Sequence, residues 1–278
     1  MKTAILGIGL IGGSLGLGLR QASWPVQGWS PSPDTRALAL RRGAIERAFE
    51  TPEDAVEDAE LIVVASPIRA IPEIFQAIAG AARDGAVVTD VASVKAQVLR
   101  WAAELLPPRL RFVGGHPMAG KEVQGVAAAD PATLHGCTYC LAPPDAEALP
   151  VVREMVEAIH ARPLILNAEE HDRAVAAASH LPFVAATALV QAAAPELGGL
   201  AGEVAASGFR DTTRVAMASP PMHADICNFN AEAVRDMIDR MQRELDALKA
   251  SLTDPAIEAS FVQAAEARRQ WAISRGGL

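Results

Sequence analysis

His116 stands in the stretch GGHPMAGKEVQG (114–125), held between glycines and a proline and followed by Lys121 and Glu122. An imidazole titrates near neutral pH, so a histidine fixed in such a segment suits removal of a proton from a hydroxyl as an alcohol becomes a carbonyl. That chemistry needs a hydride acceptor, and the N-terminus offers a place for one. Gly7, Gly9 and Gly12 spell G-x-G-x-x-G directly after an apolar run, TAILG, and at the start of a helix-like segment. Gly7 permits the tight turn, Gly9 lets backbone approach a pyrophosphate, and Gly12 lets helix and strand pack closely. The helix N-terminus supplies N–H donors and a positive dipole end. Leu10 and Ile11 in that turn, and Ser66 at the end of the strand-like run 60–66, complete the residues expected around the dinucleotide.

The end of the second strand separates NAD from NADP. NAD sites place an acid there for the ribose 2′-hydroxyl. Here the segment is GWSPSPDTR: Ser30 holds that position, Asp34 is read as a cap of the next helix, and Arg36 is within reach of a 2′-phosphate. The expected cofactor is therefore NADP, with NAD as the alternative. Three other patterns are set aside. Gly12-Gly13-Ser14-Leu15-Gly16 matches a hydrolase nucleophile elbow, but the turn is already used by Gly7 to Gly9, which leaves Ser14 inside the helix. Cys137 and Cys140 form CxxC, yet no second pair and no nearby histidine pair completes a tetrahedral site, so no metal is expected. Of the remaining histidines, His160 and His171 are read as surface residues and His135 as a loop residue; His180 precedes Pro182, where a helix kinks or begins.

These residues need a scaffold that brings strand ends together. Short apolar runs at 3–7, 26–29, 60–66, 86–93, 111–115, 139–143 and 163–167 alternate with helical patterns, which predicts a doubly wound parallel sheet of the Rossmann type. Ligands bind along the edge where the loops after the strands gather. From Ala168 the strand signal stops. A helical run begins there, a long helix is predicted over 221–252, and a last helix follows. The expected organisation is a dinucleotide-binding domain over 1–167 and an all-helical substrate-binding and dimerisation domain over 168–278, giving a homodimer through the C-terminal helices.

The bulk composition narrows the class. The chain has 278 residues, 50 % hydrophobic, with a formal net charge of −8. An acidic surface repels phosphate backbones, so nucleic-acid binding is not expected. Apolar runs are interrupted within roughly 18 residues, which predicts no membrane span. No signal-peptide pattern opens the chain, and three cysteines suit a reducing cytoplasm.

GIGLIGGSLG (7–16), TDVASVK (89–95), GGHPMAG (114–120), SHLPF (179–183) and GFRDTTRVA (208–216) stand in an order that resembles the prephenate and arogenate dehydrogenases of tyrosine biosynthesis, nearly end to end. The resemblance implies NAD(P)-dependent oxidative decarboxylation of prephenate or arogenate, a cyclohexadienol with a ring carboxylate. It assigns His116 to the substrate hydroxyl, Ser93 to holding both that hydroxyl and the histidine, and Arg214 to a substrate carboxylate. A dianionic substrate needs a guanidinium fork in so acidic a chain. Glu122 matches an acid near the pocket mouth able to pair with Arg214. Arg210 is a second cation. His180 matches a substrate-side position where a structural hydrogen-bonding role is expected. Two residues depart from the pattern: Phe183 replaces the last histidine of SHLPH, which opens the site to arogenate with its side-chain ammonium, and His223 stands where relatives often carry tryptophan.

Two other readings compete. A β-hydroxyacid dehydrogenase shares this layout but needs a lysine on the first long helix after the sheet, and residues 168–194 contain none. A non-catalytic NADP-binding protein needs no base, so Ser93, His116 and Arg214 together argue against it.

Overall fold

The computed structural model describes residues 1–121 and 123–276. The chain alternates β1 (Thr3–Leu6), α1 (Leu10–Gln21), β2 (Val26–Trp29), α2 (Pro33–Arg41), β3 (Arg47–Phe49), α3 (Pro52–Val56), β4 (Leu61–Val64), α4 (Ile71–Ala81), β5 (Val87–Asp90), α5 (Ala96–Leu105), β6 (Arg111–Pro117), β7 (Thr138–Ala142), α6 (Leu149–Ala158) and β8 (Arg162–Ile165). The strands form one sheet in the order β3-β2-β1-β4-β5-β6-β7-β8. Strand period two sorts the core onto two faces. Ile5 and Val63 pack under α1 and α6, whereas Ala4, Leu6, Ile62 and Val64 pack with Phe75 and Ile78 of α4. Continuous apolar strands such as LIVV are the pattern of a sheet covered on both sides.

The Rossmann-type expectation holds, with three local differences. β3 escapes the sequence because three residues, one of them the exposed Arg47, carry little strand signal. The cap of α2 is Ser32, whose hydroxyl accepts the Thr35 N–H at 3.2 Å; Asp34 lies inside the first turn. The third difference concerns His116: the strand predicted to end at residue 115 runs on to Pro117 and includes the histidine. β6 pairs in parallel with β5 only as far as Val113, then runs past the end of β5 and pairs antiparallel with β7 from Gly114 to Pro117. Crowding against backbone requires glycine at Gly115, whereas at Gly114 the nearest atom is the end of the Leu99 side chain. A Cβ on Gly115 would lie 2.4 Å from the Asp90 carbonyl, and one on Gly114 would lie 2.7 Å from Leu99. Pro117, which cannot donate to a ladder, falls at the strand's last residue.

Beyond β8 the described residues are helical: α7 (Ala168–Val175), α8 (Leu181–Leu197), α9 (Leu200–Val204), α10 (Ser207–Thr213), α11 (Pro220–Phe229), α12 (Ala231–Ala250) and α13 (Ala256–Ser274). A π-helical turn over Ala176–His180 joins α7 to α8, just before Pro182. The helix predicted across 221–252 is broken at Asn230, whose side chain is drawn into buried bonds with the Asp172 carbonyl at 2.7 Å and His180 at 3.2 Å.

The chain divides into two compact units, 1–231 and 232–278, so the helices from α7 to α11 fall in the same unit as the sheet. Trp101 of α5 meets Phe229 of α11 edge to face, and Arg69 donates to Asp225 at 2.5 Å. Among the described residues, one helical stretch, 168–197, is long and apolar enough to cross a membrane, with mean hydropathy 1.4 in its apolar window and 22 % of that window buried. The sequence reading missed it because the charged first turn and the polar side chains around His180 punctuate the run.

Candidate active site

Local sequence explains the shape of the first loop. Gly7 takes φ +103, a region open to glycine, and a Cβ there would lie 2.5 Å from Ser66 Oγ and 2.6 Å from the Ala65 carbonyl. A Cβ on Gly12 would lie 2.0 Å from the Gly7 carbonyl, so α1 sits directly against the β1 turn. Gly9 faces open space within 4 Å. It borders a cleft of about 600 Å³ that also touches Gly7, Trp29, Ser30, Ser66 and Ile74. A narrow loop, a bare glycine and the α1 N-terminus fit a dinucleotide's pyrophosphate. Leu10 and Ile11 form the first, half-buried turn of α1. Ser66 donates to the Leu6 carbonyl at 2.9 Å. Ser30 is buried just past β2, and Arg36 stands off the cleft wall, its Nη1 donating to the Ser30 carbonyl at 2.6 Å. Ser14 is fully buried, donates to the Leu10 carbonyl at 2.7 Å and accepts the Asp130 N–H at 2.9 Å. It is no exposed nucleophile.

His116 is 7 % exposed, and behind it lies a chain of hydrogen bonds that the sequence did not reveal. Its Nδ1 is 2.8 Å from His171 Nε2, and His171 Nδ1 is 2.7 Å from Asp172 Oδ1. His171, read from sequence as a surface residue, is fully buried. The reason is the face α7 presents. An Asn167–Glu170 capping box starts the helix, Glu169 and Glu170 face solvent, and His171 and Asp172 turn inward. The Asp172 carboxylate also accepts the Lys95 N–H at 2.7 Å and the Ala96 N–H at 2.9 Å, at the N-terminus of α5. Burial pushes the Asp172 pKa up, but the bonds from His171 and the two amides outweigh it and hold the carboxyl below its usual value.

An ionised Asp172 fixes the tautomers. It accepts the proton on His171 Nδ1, so His171 Nε2 presents a lone pair. His116 Nδ1–H then donates to that lone pair, leaving His116 Nε2 bare as an acceptor. Burial, with His171, Lys95 and His180 close by, holds the His116 pKa well below its usual value, so the ring stays neutral. The same logic orients His180, which is 2 % exposed on the π turn. The Asn230 amide N–H donates to His180 Nδ1, which leaves a proton on Nε2. That Nε2 is buried and has no hydrogen-bond partner among the described residues. Burial lowers the His180 pKa to about 4. A π turn carrying an unpaired donor is a common mark of a ligand site.

The other expected residues are placed less closely. Ser93 is half-buried in the loop between β5 and α5, two residues before Lys95. Arg214 is exposed in the turn that follows α10. Arg210 is exposed and paired with the adjacent Asp211, its Nε 2.9 Å from Oδ1. Glu122 lies outside the described residues. The two departures from the family pattern meet: Phe183 and His223 stack with ring centres 3.7 Å apart, and His223 Nδ1 donates to the Ser219 carbonyl at 3.1 Å. Cys140 is a buried residue of β7 opposite His116.

Comparison with known proteins bears on the family and the fold. Residues 15–165 match the family model described as prephenate dehydrogenase, nucleotide-binding domain, and residues 167–265 match prephenate dehydrogenase, dimerization domain. A prephenate dehydrogenase of Lactococcus lactis is 33 % identical over all of this chain and 79 % of its own length. The crystal structure of Synechocystis arogenate dehydrogenase is 31 % identical, covers 98 % of this chain and 100 % of its own, and superposes with TM-score 0.85. Prephenate dehydrogenase from Aquifex aeolicus, solved with hydroxyphenyl propionate and NAD+, is 28 % identical over 97 % of each chain, with TM-score 0.88. 3-Hydroxyisobutyrate dehydrogenase from Salmonella typhimurium shares the fold at 14 % identity and TM-score 0.62. With both halves of the chain matched in order and the glycine turn and buried histidine in place, the chain belongs to the prephenate dehydrogenase family.

Proposed function

We propose that the protein oxidatively decarboxylates prephenate or arogenate, using a nicotinamide dinucleotide, in tyrosine biosynthesis. The single observation that carries the reading is the chain Asp172–His171–His116, which leaves a neutral imidazole with a bare Nε2 in a buried position. When bound, the nicotinamide supplies the hydride acceptor. His116 Nε2 takes the proton of the substrate hydroxyl as hydride leaves the same carbon, and loss of CO₂ returns the ring electrons that make it aromatic. Ser93 holds the hydroxyl and the imidazole together. His180 Nε2–H serves as a fixed neutral donor to substrate oxygen. Arg214 binds a substrate carboxylate, with Arg210 as a second cation. The Phe183–His223 stack forms the side-chain subsite, suited to arogenate as well as prephenate.

Arg214→Ala tests the substrate side. A charge-assisted bond to a carboxylate contributes about 1.5–3 kcal/mol, so the substrate KM rises by roughly 10–100-fold while kcat changes far less. An unchanged KM in steady-state assays would remove Arg214 from the site.

Gly7, Gly9, Leu10, Ile11, Gly12 and Ser66 hold the dinucleotide. NAD use is supported by the Aquifex aeolicus complex. We further propose that NADP is accepted and favoured. No acid stands directly after β2, where Ser30 takes the place, and Arg36 adds a positive charge beside it. Ser30→Asp shifts kcat/KM toward NAD by about tenfold, one like-charge contact against a 2′-phosphate. An unmoved cofactor ratio would show that the residue after β2 does not choose.

The working boundary we propose is 167/168, supported by the end of β8 at Ile165 and the start of α7 at Ala168. The matched dimerization domain supports a homodimer through the C-terminal helices. Exposed Leu189, Leu200 and Val204 on α8 and α9, and Phe261, Val262 and Trp271 on α13, are apolar surface for such a contact. A second copy suits the apolar run 168–197 better than lipid does, because that run holds His171, Asp172 and His180. The proposed setting is the cytoplasm, and all three cysteines are free.

A further inference from the structure

Lys95 is fully buried, which is rare for a lysine, and the proposed mechanism gives it no task. Its Nζ donates to Asp90 Oδ2 and, at 2.7 Å, to the Gly115 carbonyl. Asp90 Oδ1 accepts the Gly115 N–H at 3.0 Å, and Oδ2 also accepts the Ala92 N–H at 2.9 Å. The ion pair therefore grips both backbone polar groups of the residue just before His116. It does so where Gly115 has no room for a side chain and β6 has run past the end of β5. The backbone N–H of the same lysine donates to Asp172, the far end of the bonds that orient the His116 ring. One residue thus reaches both supports of the imidazole, the strand that carries it and the acid that fixes its tautomer.

We infer that Lys95 is a positioning residue for His116, clamping its strand and keeping a buried positive charge beside the ring so that the ring remains an acceptor. The inference rests on His116 as the base. A buried ion pair is weak as a source of stability, since desolvating both ions costs about as much as their attraction returns, so plain core-building is a poor account of it. The charges that face the two groups are few. His116 faces His171 of α7, His180 of the π turn and Lys95. Lys95 faces Asp90 of β5, Asp172 of α7 and Cys140 of β7. Removing the ammonium takes a positive neighbour from His116 and leaves the carboxylate of Asp90, and both changes favour the protonated ring.

The test is the pH dependence of kcat/KM in Lys95→Met, with His116→Asn as reference. The acid limb is expected to move up by about one pH unit, a tenfold loss below the limb. On the plateau kcat falls about tenfold or more as the strand loosens, while the Kd for the dinucleotide stays near that of the unaltered protein. If Lys95→Met does not accumulate folded, Lys95→Gln, which removes the charge but keeps a donor for the Gly115 carbonyl, carries the same limb measurement. An acid limb that stays in place overturns the inference, whether activity is kept or lost, because a merely structural lysine would change activity without moving the limb. Full activity in His116→Asn would instead remove the reading on which the inference rests.

Discussion

His116→Asn is expected to lower kcat by about 10²–10⁴-fold, the range for losing a positioned general base. Asparagine is of similar reach and still bonds a hydroxyl, but it cannot take a proton. The β6–β7 pairing at His116 and Cys140 uses backbone groups, so the strand survives the change. The glycine turn at Gly7 to Gly12 lies on another strand, so dinucleotide Kd should stay within about twofold. Comparing single-turnover rates with equilibrium cofactor binding separates the two effects. Full turnover would show that the hydroxyl proton goes elsewhere.

Asp172→Asn is expected to lower kcat by about 10²-fold, through misplacement of His116 and not through lost binding. Oδ1 serves both the Lys95 amide and His171, and Oδ2 serves the Ala96 amide. An amide in place of the carboxylate must turn its NH₂ toward one of these donors. Either the start of α5 loses an acceptor or His171 loses the partner that fixes its tautomer. A buried donor left unpaired costs about 1–3 kcal/mol, so thermal stability falls along with kcat. The substrate KM should change little, because the residue bonds only to protein groups behind the ring. Unchanged kcat with reduced stability would reduce Asp172 to a helix cap.

The glycine turn was legible because its logic is local: a strand, a turn that only glycine can make and a helix lie within 21 residues of sequence. The buried strands were legible because a covered sheet needs continuous apolar runs. His116 stood out as a scarce residue in a glycine-rich segment, although its place in a strand did not, since Gly114, Gly115 and Pro117 look like breakers until β7 is known to lie alongside. The rest of the site depends on contacts distant in sequence. His171 is 55 residues from His116, and between Glu169, Glu170 and Arg173 it looks solvated. Lys95 and Asp90 are ordinary charges in sequence, and only the overrun of β6 past β5 encloses them. Asn230 sits in a pattern that reads as unbroken helix, and its role appears only when His180 and Asp172 are beneath it.

The central claim is the reaction, and it is tested most directly by giving the purified protein prephenate and arogenate with each of NAD and NADP. Four values of kcat/KM result, with reduced nicotinamide and CO₂ counted in each reaction. The account predicts turnover of at least one cyclohexadienol with one CO₂ released per reduced nicotinamide, and the highest value with NADP. No turnover in any of the four combinations, or reduced nicotinamide without CO₂, would contradict it.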